Sequence, residues 1–133
     1  MKIRRGKDER SKVIRALDRI TPRIVKLRDG YRCQRCERLP SSQGCHWAHV
    51  YGRSRFSMRW DLLNALCLCF GCHQWGHSNP IAFRVWFAGK FPARAPYLEE
   101  LHRRPVRAIK TEILKNILAQ HEEKLQALGS EFE

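Results

Sequence analysis

The sequence predicts an α+β domain, with a small cysteine-bearing centre that contains short strands and has helices on both sides. Its 133 residues suffice for one domain, and a hydrophobic content of 43% allows a modest core. Apolar residues recur at helical spacing near both ends of the chain. The middle of the chain contains two C-x2-C pairs, separated by 32 residues that include short apolar runs. These three features together favour the α+β class.

The first element is an amphipathic helix over residues 8–20. Thr21-Pro22 has the pattern of an N-cap followed by proline in the first helical turn, which predicts a second short helix that stops near Gly30. The apolar residues of this region form one stripe, without bulky aromatic anchors, and the stripe is interpreted as a core-facing surface.

The central segment alternates short elements and turns. Cys45–Tyr51 is compatible with a strand, Gly52–Met58 with a basic loop, and the apolar residues 62–68 lead into the second cysteine pair. His73 to His77 fits one turn of helix.

Helices are predicted again in the last third. Asn79-Pro80 indicates a helix start, so Ile81–Ala88 should be helical, followed by a short helix over 95–103 and a long one over 107–128. We therefore expect a basic helical arm (1–30), a central core (31–90) and a helical extension (91–128). Residues 129–133, Gly-Ser-Glu-Phe-Glu, are typical of translated cloning-vector sites.

The charge of the chain is strongly positive and uneven. There are 26 Lys and Arg against 13 Asp and Glu, a net charge of +13, and residues 1–35 carry +9 of it. Such a bias favours contact with a phosphate backbone over a merely solvated face, and an anionic membrane is the weaker alternative. No apolar run is long enough to span a bilayer, and the N-terminus does not resemble a secretion signal.

The cysteine spacing predicts a structural zinc. Cys33 and Cys36, together with Cys69 and Cys72, supply two turns whose thiolates can complete a tetrahedral site. A disulfide framework is the alternative, disfavoured by the absence of a secretion signal. Cys45 and Cys67 are then expected to be buried small apolar residues. Four bound thiolates would place the protein in a reducing, cytoplasmic compartment.

Histidines and one asparagine cluster around the second cysteine pair. His73 and His77, four residues apart, share one face of a helix, which is a common metal-binding arrangement. The run from His49 through Asn64 and the stretch Cys69-Phe-Gly-Cys72-His73 resembles the HNH endonuclease signature in its zinc-knuckle form, with Ala65 at a position where that form has leucine. The resemblance covers roughly residues 24–90.

The resemblance implies a ββα-metal fold, in which a β-hairpin and a helix hold one catalytic divalent cation such as Mg²⁺, Mn²⁺ or Zn²⁺. It assigns His49 as the general base that activates water, and Asn64 as the residue that braces the hairpin. His73 and His77 match positions that bind the catalytic metal in some members. The implied activity is metal-dependent hydrolysis of DNA phosphodiester bonds, by nicking or by double-strand cutting.

One position departs from the family pattern. Many members carry Asp or His directly before the general base as a metal ligand, and here that residue is Ala48. His46 is a candidate for the missing ligand, and it is equally well interpreted as a surface histidine. The departure gives weight to an alternative function, a zinc-stabilised DNA- or RNA-binding module without catalysis.

The loop after His49 contains three arginines, Arg53, Arg55 and Arg59, which are suited to gripping phosphates. Backbone contacts carry no base identity, so weak sequence preference is expected. The four tryptophans are expected to pack a core around the zinc, with Trp60 the best candidate for stacking on a base. The resemblance is to phage-type members, which implies packaging or recombination proteins as partners and the host cytoplasm as location.

Overall fold

The computed structural model describes residues 2–40, 44–105 and 107–131. Six helices and two strands are assigned within these residues. In chain order they are α1 (Lys2–Arg28), β1 (His46–His49), α2 (Phe56–Arg59), a 3-10 turn (Leu62–Asn64), β2 (Ala65–Leu68), α3 (Phe70–Ser78), α4 (Pro80–Lys90), α5 (Arg94–Arg103) and α6 (Thr111–Glu131). The fold is thus mixed, with a small sheet among helices.

Helix α1 runs without a break through Pro22. The predicted end of a first helix at Thr21 is therefore wrong, although proline removes one backbone hydrogen bond there. Residues on both sides of Pro22 belong to one continuous buried face, with Leu17 and Ile24 both at 0% exposure. Tertiary packing of this face outweighs the local cost of the proline.

Strands β1 and β2 form an antiparallel pair. Trp47 lies opposite Cys67 and His49 lies opposite Ala65. β2 is buried along its whole length, because α1 packs against it. The chain then passes directly into α3. The strand expected within Cys45–Tyr51 and the helical turn expected at His73–His77 are present, and the apolar segment 62–68 supplies the second strand.

Helices α4 and α5 complete the central core. Phe83, Phe87 and Leu98 pack with residues of both strands and with Cys33 and Cys72. Asn79 precedes α4, but its side chain makes no cap hydrogen bond there. Its Nδ2 donates to the Trp75 carbonyl at 3.0 Å instead, so this asparagine closes the end of α3.

A second core cluster joins the two ends of the chain. Val13 and Leu17 of α1 pack with Leu114 of α6 and with Trp60. Trp60 is 1% exposed and fills this cluster, so it packs in the core as the tryptophans were expected to do and is not available as the candidate for stacking on a base. Ile113 of α6 lies outside this cluster and is 49% exposed.

Within the described residues, no helix combines the length and the apolar character needed to cross a bilayer. The helix α6 continues through Glu131. Residues 132 and 133 of the segment interpreted as vector-derived lie outside the described residues.

Candidate functional site

Four cysteines converge at one point between the first loop and the start of α3. The Sγ atoms of Cys33, Cys36, Cys69 and Cys72 all lie within 4.8 Å of one another. The Cys36 and Cys69 sulfurs are 3.7 Å apart. A tetrahedral zinc with bonds of about 2.3 Å has sulfur–sulfur edges of about 3.8 Å, so this distance fits such an ion. The structure therefore brings together the four predicted ligands in an arrangement that can hold a metal ion.

Local backbone geometry creates the two cysteine turns. In the first, Glu37 adopts a φ of 65°, and its N–H donates to the Cys33 carbonyl at 2.9 Å while the Cys33 N–H donates to the Arg38 carbonyl at 2.9 Å. In the second, the Cys69 sulfur caps α3 by accepting from the Cys72 N–H at 3.4 Å. Each turn points two sulfurs the same way, as a shared ion requires.

The thiols of this cluster differ in acidity. Burial raises the pKa of Cys33, but backbone N–H groups outweigh that effect and lower its pKa to about 7. Burial, reinforced by the neighbouring sulfurs, raises the pKa of Cys72 to about 12. Thiolates are metal ligands and like charges repel, so four thiolates this close together need a cation.

The remaining two cysteines are buried, as predicted, but they are not separate apolar residues. Cys45 and Cys67 form a disulfide, with Cα atoms 6.0 Å apart. Cys45 directly precedes β1 and Cys67 lies on β2, so pairing of the strands brings the two sulfurs together. The spacing pattern alone gave no signal for this pairing.

A cavity of about 490 Å³ opens between β1, the loop that follows it, α3 and α4. Its wall carries three histidines and two arginines: His49, His73, His77, Arg53 and Arg84. The structure thus collects four of the predicted site residues in one place. Arg84 was not predicted, because only the turn between α3 and α4 brings it here.

His49 is held through one ring nitrogen. Its Nε2 lies 3.2 Å from the Arg59 carbonyl oxygen. A carbonyl only accepts, so Nε2 carries the proton and Nδ1 keeps its lone pair. Burial, with smaller effects of Arg53 and Arg59, lowers the pKa of His49 to about 4. The imidazole is therefore neutral at neutral pH, which is the form that can accept a proton.

Three histidines meet in a row with His73 at the centre. Its Nδ1 is 3.0 Å from His46 Nδ1, and its Nε2 is 3.2 Å from His77 Nε2. Burial and then its two histidine neighbours lower the pKa of His73. The two nitrogens of one imidazole diverge, so His73 can share an ion with His46 or with His77, and not with both in this arrangement. His77 lines the cavity and His46 does not.

Asn64 is fully buried beneath the cavity. Its Nδ2 donates to the carbonyls of Tyr51 and Met58, both at 3.0 Å, and its Oδ1 accepts from the Tyr51 N–H at 2.9 Å. These three bonds tie the start of the loop after β1 to α2. The side chain thus fixes the segment that leads from His49 to the carbonyl of Arg59.

The three arginines of the loop occupy different environments. Arg53 is exposed and lies on the cavity wall. Arg55 donates to the His102 carbonyl at 3.0 Å, and Arg59 forms an ion pair with Asp18 at 2.6 Å. The Arg53 guanidinium lies 5.5 Å from the centroid of the Trp47 ring and forms no ion pair among the described residues, while the other two arginines are bonded to protein oxygen atoms.

The fold and these side chains define a mixed helical protein with a two-stranded sheet and four cysteines placed to hold a metal ion. Scans against protein-family models, curated proteins and solved structures gave no match to this chain. Functional interpretation therefore depends on the site itself.

Proposed function

We propose that this protein is a metal-dependent DNA endonuclease of the HNH type, with a ββα-metal core and a structural zinc. The observation that carries the proposal is the position of His49. Its proton-bearing Nε2 is fixed on the Arg59 carbonyl, while the ring lines an open cavity shared with His73, His77 and two arginines. A neutral base beside cation ligands and phosphate-binding side chains is what hydrolysis of a phosphodiester requires.

The residues of the cavity fit a divalent cation. Two ligands on bonds of about 2.1 Å lie about 3.0 to 3.4 Å apart when the angle at the ion is about 90–110°. The Nε2 atoms of His73 and His77 are 3.2 Å apart. This pair would hold the ion at the cavity wall, and His46 would replace His77 if His73 used its Nδ1. When bound, the cation would stabilise negative charge on the phosphate and on the leaving 3′ oxygen.

The side chains of the chain itself supply the other steps. Nδ1 of His49 takes a proton from a water molecule, and the hydroxide attacks phosphorus in line with the 3′ oxygen. The bond from phosphorus to that oxygen breaks, and the 3′ oxygen takes a proton from solvent water, which leaves a 5′ phosphate and a 3′ hydroxyl. Arg53 and Arg84 lie on the same cavity wall, and in this proposal their guanidinium groups hold the phosphate oxygens. Asn64 and the Arg59 carbonyl keep the imidazole oriented.

Nicking of supercoiled plasmid in Mg²⁺ or Mn²⁺ tests this proposal. His49→Ala should slow nicking by about 10²-fold or more, because removal of a general base costs that much. His102→Ala is the matched control: His102 is also half-buried, but it stacks on Tyr51 outside the cavity. Its nicking rate should stay within a few-fold of wild type. Zinc-loaded, folded wild type that leaves plasmid intact in Mg²⁺, Mn²⁺ and Zn²⁺ would disprove the endonuclease proposal.

One observation favours a second candidate, a zinc-stabilised nucleic-acid-binding module without catalysis. Ala48 stands where a further cation ligand is expected from the resemblance, and it is 1% exposed within the central core. Without a ligand at position 48, the cavity offers a cation only two histidine ligands, His77 and the Nε2 atom of His73. Under this alternative, the wild type shifts DNA on a gel and His49→Ala changes neither binding nor plasmid integrity.

A further inference from the structure

Four cations form a line along the outer face of α1. Lys12, Arg15, Arg19 and Arg23 are all exposed and follow one another at spacings of three and four residues. At about 100° per residue they fall within an arc of about 80°. We call these four residues the basic stripe. Buried residues such as Leu17 and Ile24 occupy the opposite face of α1.

Other arginines of α1 donate hydrogen bonds to backbone carbonyls of the protein, whereas the four residues of the basic stripe do not. Arg10 donates to the Ile109 carbonyl at 2.7 Å, and Arg28 donates to the carbonyls of Leu62 and Ala65. Among the contacts of the described residues, none of the four stripe side chains forms an ion pair, a hydrogen bond or a cation–π contact. Their charges therefore face solvent unneutralised.

The acidic residues of α1 leave most of the stripe without a counter-charge. Glu9 forms an ion pair with Lys115 of α6. Asp18 accepts hydrogen bonds from Arg59 and Trp60 on the inner side. Asp8 lies one helical turn before Lys12 on the same face and can offset that end of the stripe, and from Lys12 to Arg23 the sequence contains no carboxylate besides Asp18. Repulsion among these like charges is unfavourable for the folded protein, and a polyanion bound against the stripe would relieve it.

We propose that the basic stripe is a second contact surface for the backbone of double-stranded DNA, separate from the cavity that holds His49. This inference rests on the proposed function, and it identifies a part of the protein surface outside the cavity that contacts the DNA substrate. From Lys12 to Arg23 the helix advances about 16 Å, at about 1.5 Å per residue. Phosphates of one DNA strand follow at about 3.4 Å along the axis, so the stripe spans about five of them.

The composition of α1 argues for a duplex over other polyanions. Proteins that bind unpaired strands stack bases on aromatic side chains, and the α1 sequence contains no Phe, Tyr or Trp. Helices that lie on membranes insert bulky apolar residues beside their cations. None of the large exposed hydrophobic residues of the described chain belongs to α1. The stripe therefore presents charge alone, which suits a regular phosphate backbone.

The test measures binding of a fluorescent 30-base-pair duplex by anisotropy, at several salt concentrations, in the His49→Ala background and without added Mg²⁺ or Mn²⁺, so that cleavage does not interfere. The test variant changes all four stripe residues to Gln. The control variant removes four other exposed cations, Arg104, Arg107, Lys110 and Lys124, in the same way. Both variants leave the buried faces intact, and thermal melts confirm folding.

The stripe variant should bind at least about tenfold more weakly near 0.1 M salt, with a slope of log affinity against log salt lower by about 2 to 4, since each lost phosphate contact contributes about 0.9. The control variant should change affinity by about twofold or less. A variant with Lys at positions 15, 19 and 23 should keep the slope, because the charge remains.

Unchanged affinity in the stripe variant, or equal losses in stripe and control variants, would overturn the inference. A loss of binding to phosphatidylserine vesicles with unchanged duplex binding would overturn it in favour of a membrane. A loss confined to single-stranded DNA or to RNA would also overturn it. Since binding is read without cleavage, failure of the endonuclease proposal would appear separately in the plasmid assay.

Discussion

Asp18 holds Arg59 through two parallel hydrogen bonds, from Nε to Oδ1 at 3.1 Å and from Nη2 to Oδ2 at 2.6 Å. The same carboxylate accepts a third bond from Trp60 Nε1 at 2.8 Å. The carbonyl of Arg59 is in turn the partner of His49 Nε2. The N-terminal helix is thus connected to the candidate base by one residue, and α1 helps to set the orientation of that imidazole.

Asp18→Asn should weaken both the fold and the proposed activity. The amide keeps the shape but loses the charge and one acceptor, so we expect a decrease in the free energy of unfolding of about 1 to 2 kcal/mol, at the lower end for charged hydrogen bonds because both side chains are partly exposed. Nicking should slow as the Arg59 carbonyl shifts. Urea unfolding and the plasmid assay measure the two effects.

Asp8→Asn provides the control for this change. Asp8 lies on the same helix and is exposed, so the free energy of unfolding should change by about 0.5 kcal/mol or less. Equal stability of the Asp18 and Asp8 variants would show that the ion pair with Arg59 does not contribute.

Asn64→Ala should be strongly destabilising. It leaves the Tyr51 N–H and the carbonyls of Tyr51 and Met58 without their buried partner. An unsatisfied buried polar group costs about 1 to 3 kcal/mol, so a loss of about 3 kcal/mol or more in the free energy of unfolding is expected. Asn116→Ala, at an exposed position of α6, should change it by about 0.5 kcal/mol. A loss at Asn64 no larger than the loss at Asn116 would refute a bracing role.

The spacing of residues in the sequence was sufficient to predict those parts of the site that short segments of the chain build by themselves. The two C-x2-C pairs predicted the four-cysteine cluster, because each pair builds its own turn and only the meeting of the turns is long-range. The central order of strand, apolar segment and helix followed from short apolar runs and turn residues. Each of these predictions depends on only a few residues that are close together in the sequence.

Predictions failed where distant parts of the chain decide the outcome. Thr21-Pro22 has a clear local break signal, yet packing of one buried face carries α1 through it. Arg59 looked like a free loop cation, and only the approach of α1 shows it paired with Asp18. Arg84 and the Cys45–Cys67 pair likewise depend on helix and strand packing. The pattern of residues in a single sequence does not show which distant segments pack together, so these contacts could not be predicted from it.

Measurement of bound metal should distinguish the four clustered cysteines from the disulfide pair Cys45–Cys67. Purified wild type should hold about one zinc per chain, and Cys33→Ser should lose it together with much of the thermal stability, because structural zinc contributes directly to folding. A variant with both Cys45 and Cys67 changed to Ala should keep the zinc, since neither sulfur belongs to the cluster. Elemental analysis after dialysis against a weak chelator provides the measurement. Wild type without bound metal would contradict the zinc assignment.

Stability should fall on acidification partly because of His49. Its pKa is about 4 in the folded protein, against an ordinary value of 6.5. Between these values the unfolded chain binds a proton that the folded chain does not, so the free energy of unfolding falls as pH decreases from about 6.5 to about 4. The contribution reaches roughly 3 kcal/mol at the acid end.

His49→Gln removes this titration while keeping a side-chain N–H donor. Denaturant unfolding at a series of pH values should give a shallower acid slope for the variant than for wild type. Comparing the two cancels any effect of acid on the four-cysteine cluster, which is the same in both proteins. Parallel pH profiles for wild type and variant would mean that His49 titrates normally in the folded protein.

The three loop arginines should separate into one DNA-contacting residue and two structural ones. Arg53→Ala should lower nicking and DNA affinity while leaving the free energy of unfolding within about 0.5 kcal/mol, because Arg53 is exposed on the cavity wall. Arg59→Ala should destabilise the fold by about 1 to 3 kcal/mol, since it leaves the partly buried Asp18 with only Trp60 as a partner. Urea unfolding and duplex anisotropy on both variants distinguish these effects. A destabilised Arg53→Ala protein with a stable Arg59→Ala protein would reverse the assignment, and would place Arg59 rather than Arg53 against the phosphate.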